Sequence, residues 1–184
     1  MDEFREEGSE TVLQAARRIH ALRQTEVAPY ADLYPLLLAA VPDIMVNWDR
    51  DTQELPWTAI EETERQNNLV SVITRVIDCA LSDANRNFRV DAMIAAACAH
   101  GESRRSQGMP VATLFREYDL LRSATWGELS RIASSPVSYS AIFVIDGLLS
   151  VATRATVLGY HHTEMMANGL WAGHLEELKK TVRS

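Results

Sequence analysis

Residues 95–121 read AAACAHGESRRSQGMPVATLFREYDLL, two runs of helix-forming residues hinged at Gln107-Gly108-Met109-Pro110. Glycine at a helix end takes the left-handed conformation that stops the helix, and proline suits the first turn of the next one. The spacing therefore predicts a tight helical hairpin, Ala92 to about Gln107 capped by Asp91, then Pro110 to about Ala133. On the second arm Val111, Leu114, Tyr118, Leu121, Thr125, Leu129 and Ile132 recur at helical spacing and define an inner face. With the hairpin folded about Gly108, His100 lies eight residues before the turn and Glu117 nine after it, so the two stand nearly level. Arg104 is one turn from His100 on the same face and can reach Glu117 as well. Gly101 would let another helix approach closely, at a propensity cost of about 1 kcal/mol relative to Ala.

Working outward, the rest of the chain reads the same way. Ser9 can cap a first helix to about Gln24, and residues 1–8 read as an acidic, disordered tail ahead of it. Asp32 and Pro35 open a short helix, and Pro42 starts another through Trp48. A helix follows Pro56, with Ile60, Leu69, Val72, Ile73, Val76, Ile77 and Ala80 inward, ending near Ser82. The polar segment 82–91 reads as a connection. After Pro136 a last helical stretch of over forty residues runs almost to the C-terminus, with a bend expected near Gly159 or Gly169. The fold class expected is all-α: a multi-helix bundle with a globin-like or four-helix-type core and a long C-terminal helix, formed as one domain over residues 9–184.

Composition narrows the function. The 184 residues are 47% hydrophobic and 23% charged, and 25 acidic against 18 basic side chains give a net charge of -7. That balance argues against a general grip on nucleic acid or anionic lipid. More than half of the charge sits in the first ten residues, where Asp2, Glu3, Glu6, Glu7 and Glu10 face only Arg5. The acidic start lacks the basic flank and apolar core of a leader, so a cytoplasmic protein is expected. Leu33 to Val46, read as the longest apolar stretch, is interrupted by Pro35, Pro42 and Asp43 and is too short to span a membrane. Cys79 and Cys98 lie in apolar helical segments and read as reduced, buried thiols.

Several chemistries lack their signatures. The chain has no GxGxxG or GxxxxGK[ST] loop, no HExxH helix and no CxxC pair. No histidine has Glu three residues before it, as a ferritin-like di-metal bundle requires. His161 and His162 are adjacent, about 100° apart on a helix, and read as a solvated or partly buried pair without metal. No basic recognition helix suggests DNA binding, and His20 lacks the sequence around a phospho-accepting histidine. No metal, no cofactor and no catalytic residues are therefore expected. For His100, Arg104, Glu117 and Arg122 two readings stand side by side. One is a polar clamp fixing hairpin register, for which loss of His100 or Glu117 to Ala would cost about 1–3 kcal/mol. The other is a ligand- or partner-responsive node, including pH sensing, where a carboxylate beside His100 favours imidazolium and burial opposes it.

The pattern His100-Gly101-x-x-Arg104-x-x-Gln107-Gly108, then Leu114, Glu117-Tyr118 and Leu120-Leu121-Arg122, resembles the N-terminal sensor domain of RsbR-type stressosome proteins. This RsbRD-like domain also precedes bacterial histidine kinases. The resemblance is specific over about 30 residues and compatible over roughly residues 10–160, where Val41-Pro42-Asp43-Ile44 matches an early Pro-containing segment. It implies a non-enzymatic cytoplasmic signalling input domain. Such domains feed a C-terminal output, and a chain of this length has room only for the sensor. Either the output is expected in a homodimer or in a separate partner such as a histidine kinase or stressosome protein, or the chain is a piece of something longer. Met165, Met166, Leu170, Trp171, Leu175 and Leu178 form a candidate docking stripe, with packing on the domain's own core as the alternative. The family's relation to globins brings in a second function: a helical binder of a small apolar ligand or haem, walled by Trp48, Trp57, Trp126 and Tyr118.

Overall fold

The computed structural model describes residues 33–53, 57, 60–82, 86–132 and 139–183. The expected helix at 9–24 and the acidic tail lie outside them. Among the described residues the chain forms eight helices and no strand: α1 Leu33–Ala39, α2 Val41–Asp51, α3 Glu62–Leu81, α4 Arg86–Ser106, α5 Val111–Ile132, α6 Tyr139–Tyr160, α7 His162–Ala167 and α8 Trp171–Arg183. The all-α bundle is thus the fold. One hydrophobic cluster running from Leu37 to Val182 joins these helices.

Local chemistry explains the boundaries. Ala40 separates α1 from α2, whose first turn accommodates Pro42. Gly108 has φ +72°. Its N–H donates to the Arg105 carbonyl (2.9 Å) and the Met109 N–H donates to the Arg104 carbonyl (3.0 Å), the paired bonds of a Schellman stop. Gly169, at φ +67°, ends α7 with the same two bonds, Gly169 N–H to Met166 and Leu170 N–H to Met165. The long C-terminal helix is therefore three helices. One break falls at Gly169, as expected; the other falls at His161, whose N–H is shared between the carbonyls of Val157 and Leu158.

Helix α4 also begins six residues earlier than the cap at Asp91 would place it. Its polar first turns are amphipathic: Val90 is buried, Phe88 faces out, and Arg89 reaches back to Asp78 of α3. Asp91 lies inside the helix, 3.8 Å from Lys179 of α8.

Side-chain bridges fix the helix directions. Arg104 meets the Arg65 carbonyl and Arg89 meets Asp78, so α3 and α4 are antiparallel. Ala97 pairs with Thr156 and Arg105 with Tyr160, so α4 and α6 run parallel in the most extensive helix contact of the molecule. Asp43–Arg131 and Asn47–Glu128 set α2 antiparallel to α5. Here the expected tight hairpin needs correction. The turn at Gly108 forms, but α5 packs along α2 and α6, while α4 packs along α3 and α6. Long side chains, not adjacent backbones, connect α4 to α5.

Among the described residues, the segment apolar enough in length and composition to cross a membrane is Ala141–Tyr160 of α6, not Leu33 to Val46. Most of that segment is buried inside the bundle, as suits a central core helix. Both cysteines are buried and outside any disulfide, and burial, with Glu102 nearby, pushes the Cys98 thiol up to about 12.

Candidate functional site

The turn at Gly108 places His100 and Arg104 of α4 opposite Glu117 of α5, and all three side chains are buried. The His100 ring Nε2 lies 3.0 Å from Glu117 Oε2. Arg104 holds the same carboxylate with two nitrogens: Nε donates to Oε1 at 3.0 Å and Nη2 to Oε1 at 2.6 Å. Two further donors are used, Nη2 on the Arg65 carbonyl (2.6 Å) and Nη1 on Gln107 Oε1 (2.8 Å). A planar guanidinium fits this demand because its donors form a rigid fork. Burial pushes the Glu117 carboxyl up, but the charges and hydrogen bonds of His100 and Arg104 outweigh it and hold the group below the usual carboxylate range.

A second polar chain runs beside the first. Thr156 of α6 gives its only hydroxyl hydrogen to the Ala97 carbonyl (3.0 Å), so Tyr118 is the donor in its 2.6 Å bond to Thr156. Burial raises the Tyr118 hydroxyl well above its ordinary value, which keeps it a neutral donor. The Tyr118 ring stands edge-on to His100, with centroids 6.3 Å apart. Trp48 of α2 donates from Nε1 to the Glu117 carbonyl at 3.2 Å. Residues of α2, α3, α4, α5 and α6 thus converge on Glu117 and its neighbour.

Of the expected node, the structure brings together His100, Arg104 and Glu117. Gly101 and Gly108 act through backbone, one at the contact with α6 and one at the turn. Arg122 does not join them. It is partly exposed on the α5–α6 face, where Nε bonds Asp146 at 2.6 Å and Nη2 bonds Ser150 at 3.2 Å. Five residues from Glu117, it points about 140° away on the helix. An ion pair at that exposure contributes ~1 kcal/mol or less. Arg122→Ala should therefore leave thermal unfolding nearly unchanged, in contrast to every substitution within the buried trio.

Arg65, Trp48 and Thr156 are node residues that sequence reasoning did not place there. Arg65 and Thr156 lie on helices whose register against α4 and α5 has no local sequence marker. The docking stripe divides. Leu178 is in the core, and Met165, Trp171 and Leu175 pack against it, so only Met166 and Leu170 are exposed. Trp48, Trp57 and Tyr118 are fully buried core side chains, and Trp126 is partly buried beside them.

Among the described residues no three His, Cys, Asp or Glu side chains are grouped to hold a metal ion. No curated protein and no solved structure matches the chain. The family model for the RsbT co-antagonist protein rsbRD N-terminal domain does match it, over residues 37–167, more than half of its length. That range contains α2 to α7 entire, and with them every member of the buried node. The chain belongs to the RsbRD N-terminal domain family of stressosome-type signalling input domains.

Proposed function

We propose that the chain is a non-enzymatic, cytoplasmic signalling input domain. It acts through a homodimer or a separate signalling partner, a histidine kinase or stressosome protein, and takes no nucleic acid, membrane or cofactor as its target. One observation carries this reading: the family match spans the whole node in which His100, Arg104 and Glu117 tie α4 to α5. A buried polar network has few satisfied arrangements, so a cue that moves α5 relative to α4 must trade one bonded set for another. The node is then both a register clamp and the element whose state a partner reads.

The test separates those roles. His100→Gln keeps a side chain of similar reach but alters the bond to Glu117, whereas Arg122→Ala alters only the surface. With a reconstituted partner kinase or stressosome protein, phosphorylation should change with His100→Gln and stay unchanged with Arg122→Ala. If His100→Gln melts lower yet signals normally, the node is a clamp alone. Sedimentation across a concentration range measures the dimer directly.

A further inference from the structure

The junction of α6, α7 and α8 holds a second group of titratable side chains, about which the input-domain reading says nothing. The chain leaves α6 at Tyr160, turns at His161 and enters α7 at His162. Each histidine meets a carboxylate through Nδ1: His161 bonds Glu164 at 2.9 Å, and His162 lies 2.7 Å from Glu102 of α4. The His162 ring also lies against Trp171, the first residue of α8, with centroids 4.2 Å apart. One imidazole thus touches both α4 and the start of α8.

From this point α8 turns back over α4 and α6, buries Leu178 and Val182, and brings Lys179 to within 3.8 Å of Asp91. Those contacts lie toward its far end. Toward its start Trp171 and Leu175 are only partly buried, Gly173 contributes no side chain, and Leu170 is exposed. The near end of α8 therefore depends on the His162–Trp171 contact more than the far end does.

We propose that His161 and His162 form a pH-dependent latch, holding α7 and the start of α8 against α4 when protonated and loosening them as the imidazoles lose their protons. An imidazole changes charge between about pH 5 and 8. Protonation strengthens the His162–Glu102 and His161–Glu164 contacts through charge, and it adds a cation–π attraction to Trp171. A neutral ring keeps at most the hydrogen bond.

Helix α4 contributes Glu102 and also Arg105, whose Nη2 bonds Glu164 at 3.1 Å and whose Nη1 bonds the Tyr160 carbonyl at 2.9 Å. Arg105 therefore shares Glu164 with His161 and opposes a charge there. The bonds from His161 and Arg105 also hold Glu164 below the usual carboxylate range, so it stays ionised throughout the histidine range. Helix α6 contributes Tyr160, which donates to the Met109 carbonyl at 2.7 Å. Helix α8 contributes His174, 4.0 Å from its own Glu177. Among the described residues no other cation is paired with Glu102, so the latch acts mainly through His162–Glu102.

Amide hydrogen exchange on the full chain, expressed as protection factors to remove the intrinsic pH dependence, reads the latch directly. Protection over residues 174–176 should fall about two- to fivefold from pH 5.5 to pH 8, the range an exposed charged pair supports. Protection in α3 should hold constant. His161→Gln/His162→Gln and, separately, Glu102→Gln should each flatten most of the fall while leaving the melting of the bundle close to wild type. Equal protection at both pH values in the wild type would overturn the latch, as would a fall that persists undiminished in both variants.

Discussion

Glu117→Ala should destabilise the domain by about 3–5 kcal/mol, the range for removing one partner of a buried ion pair. The size follows from what remains. Arg104 would keep only the Arg65 carbonyl and Gln107 as partners, and its charge would be uncompensated in the core. His100→Ala, which removes one hydrogen-bond partner and leaves Arg104 on the carboxylate, should cost about 1–3 kcal/mol. The ordering Glu117→Ala above His100→Ala is the check, measured by urea unfolding of the two variants. A converse experiment tests whether charge or shape matters. Arg104→Met/Glu117→Leu removes both charges together and should recover much of the single-variant loss, because paired burial contributes little net stability once desolvation is counted.

The same carboxylate gives a pH dependence. Glu117 titrates lower in the folded chain than when unfolded. Its stabilisation is therefore complete above the unfolded value of about 4.3 and is lost as pH falls through the lower folded value. Wild type should lose stability steeply in that acid range, and Glu117→Gln, already weaker at neutral pH, should lose less there. Parallel acid titrations followed by circular dichroism would show the two curves converging. Curves that stay parallel would mean that Glu117 is not the group responsible.

That node could be read from sequence because a single glycine fixed its geometry. With φ +72° at Gly108 the two arms must leave the turn in one way, and counting eight and nine residues outward then places His100 and Glu117 level. The same count fails for Arg122, where five residues of helix rotate the side chain off the face. It also gives no warning that the arms splay toward different neighbours, since every inner residue of α5 satisfies the same 3.6-residue pattern whichever helix it meets. The start of α4 was hidden for a similar reason. Residues 88–91 contribute one buried side chain, Val90, too few to show a period. At the C-terminal end Gly169 stops a helix through positive φ, whereas Gly159, the other expected bend, lies inside α6 and serves a contact. Glycine in sequence does not distinguish these two uses; only the neighbour does.

The contact at Gly159 and Gly101 leads to the second large effect. A Cβ on Gly101 would fall on the Thr156 carbonyl and 2.7 Å from the Tyr160 nitrogen, and a Cβ on Gly159 would fall on the Cys98 carbonyl, 2.6 Å from the Cys98 Cα. Every obstacle is backbone, so no rotamer change relieves the overlap and α4 must move away from α6. Alanine at either position gains at most about 1 kcal/mol of helix propensity over glycine. Against it stands the cost of overpacking, ordinarily about 1–3 kcal/mol and greater where the obstacle is rigid. The movement also stretches the Thr156 bond to Ala97, and with it the bond from Tyr118 that lies beside His100. Gly101→Ala and Gly159→Ala should each lower stability despite their better propensity. Because both open the same interface, the double variant should cost clearly less than the two single losses added together. Strict additivity in urea unfolding would mean that each clash is absorbed locally and that α4 and α6 have not separated. Losses below the sum, accompanied by faster exchange of the Thr156 hydroxyl and the amides around Ala97, would identify the α4–α6 crossing as the support on which the buried node rests.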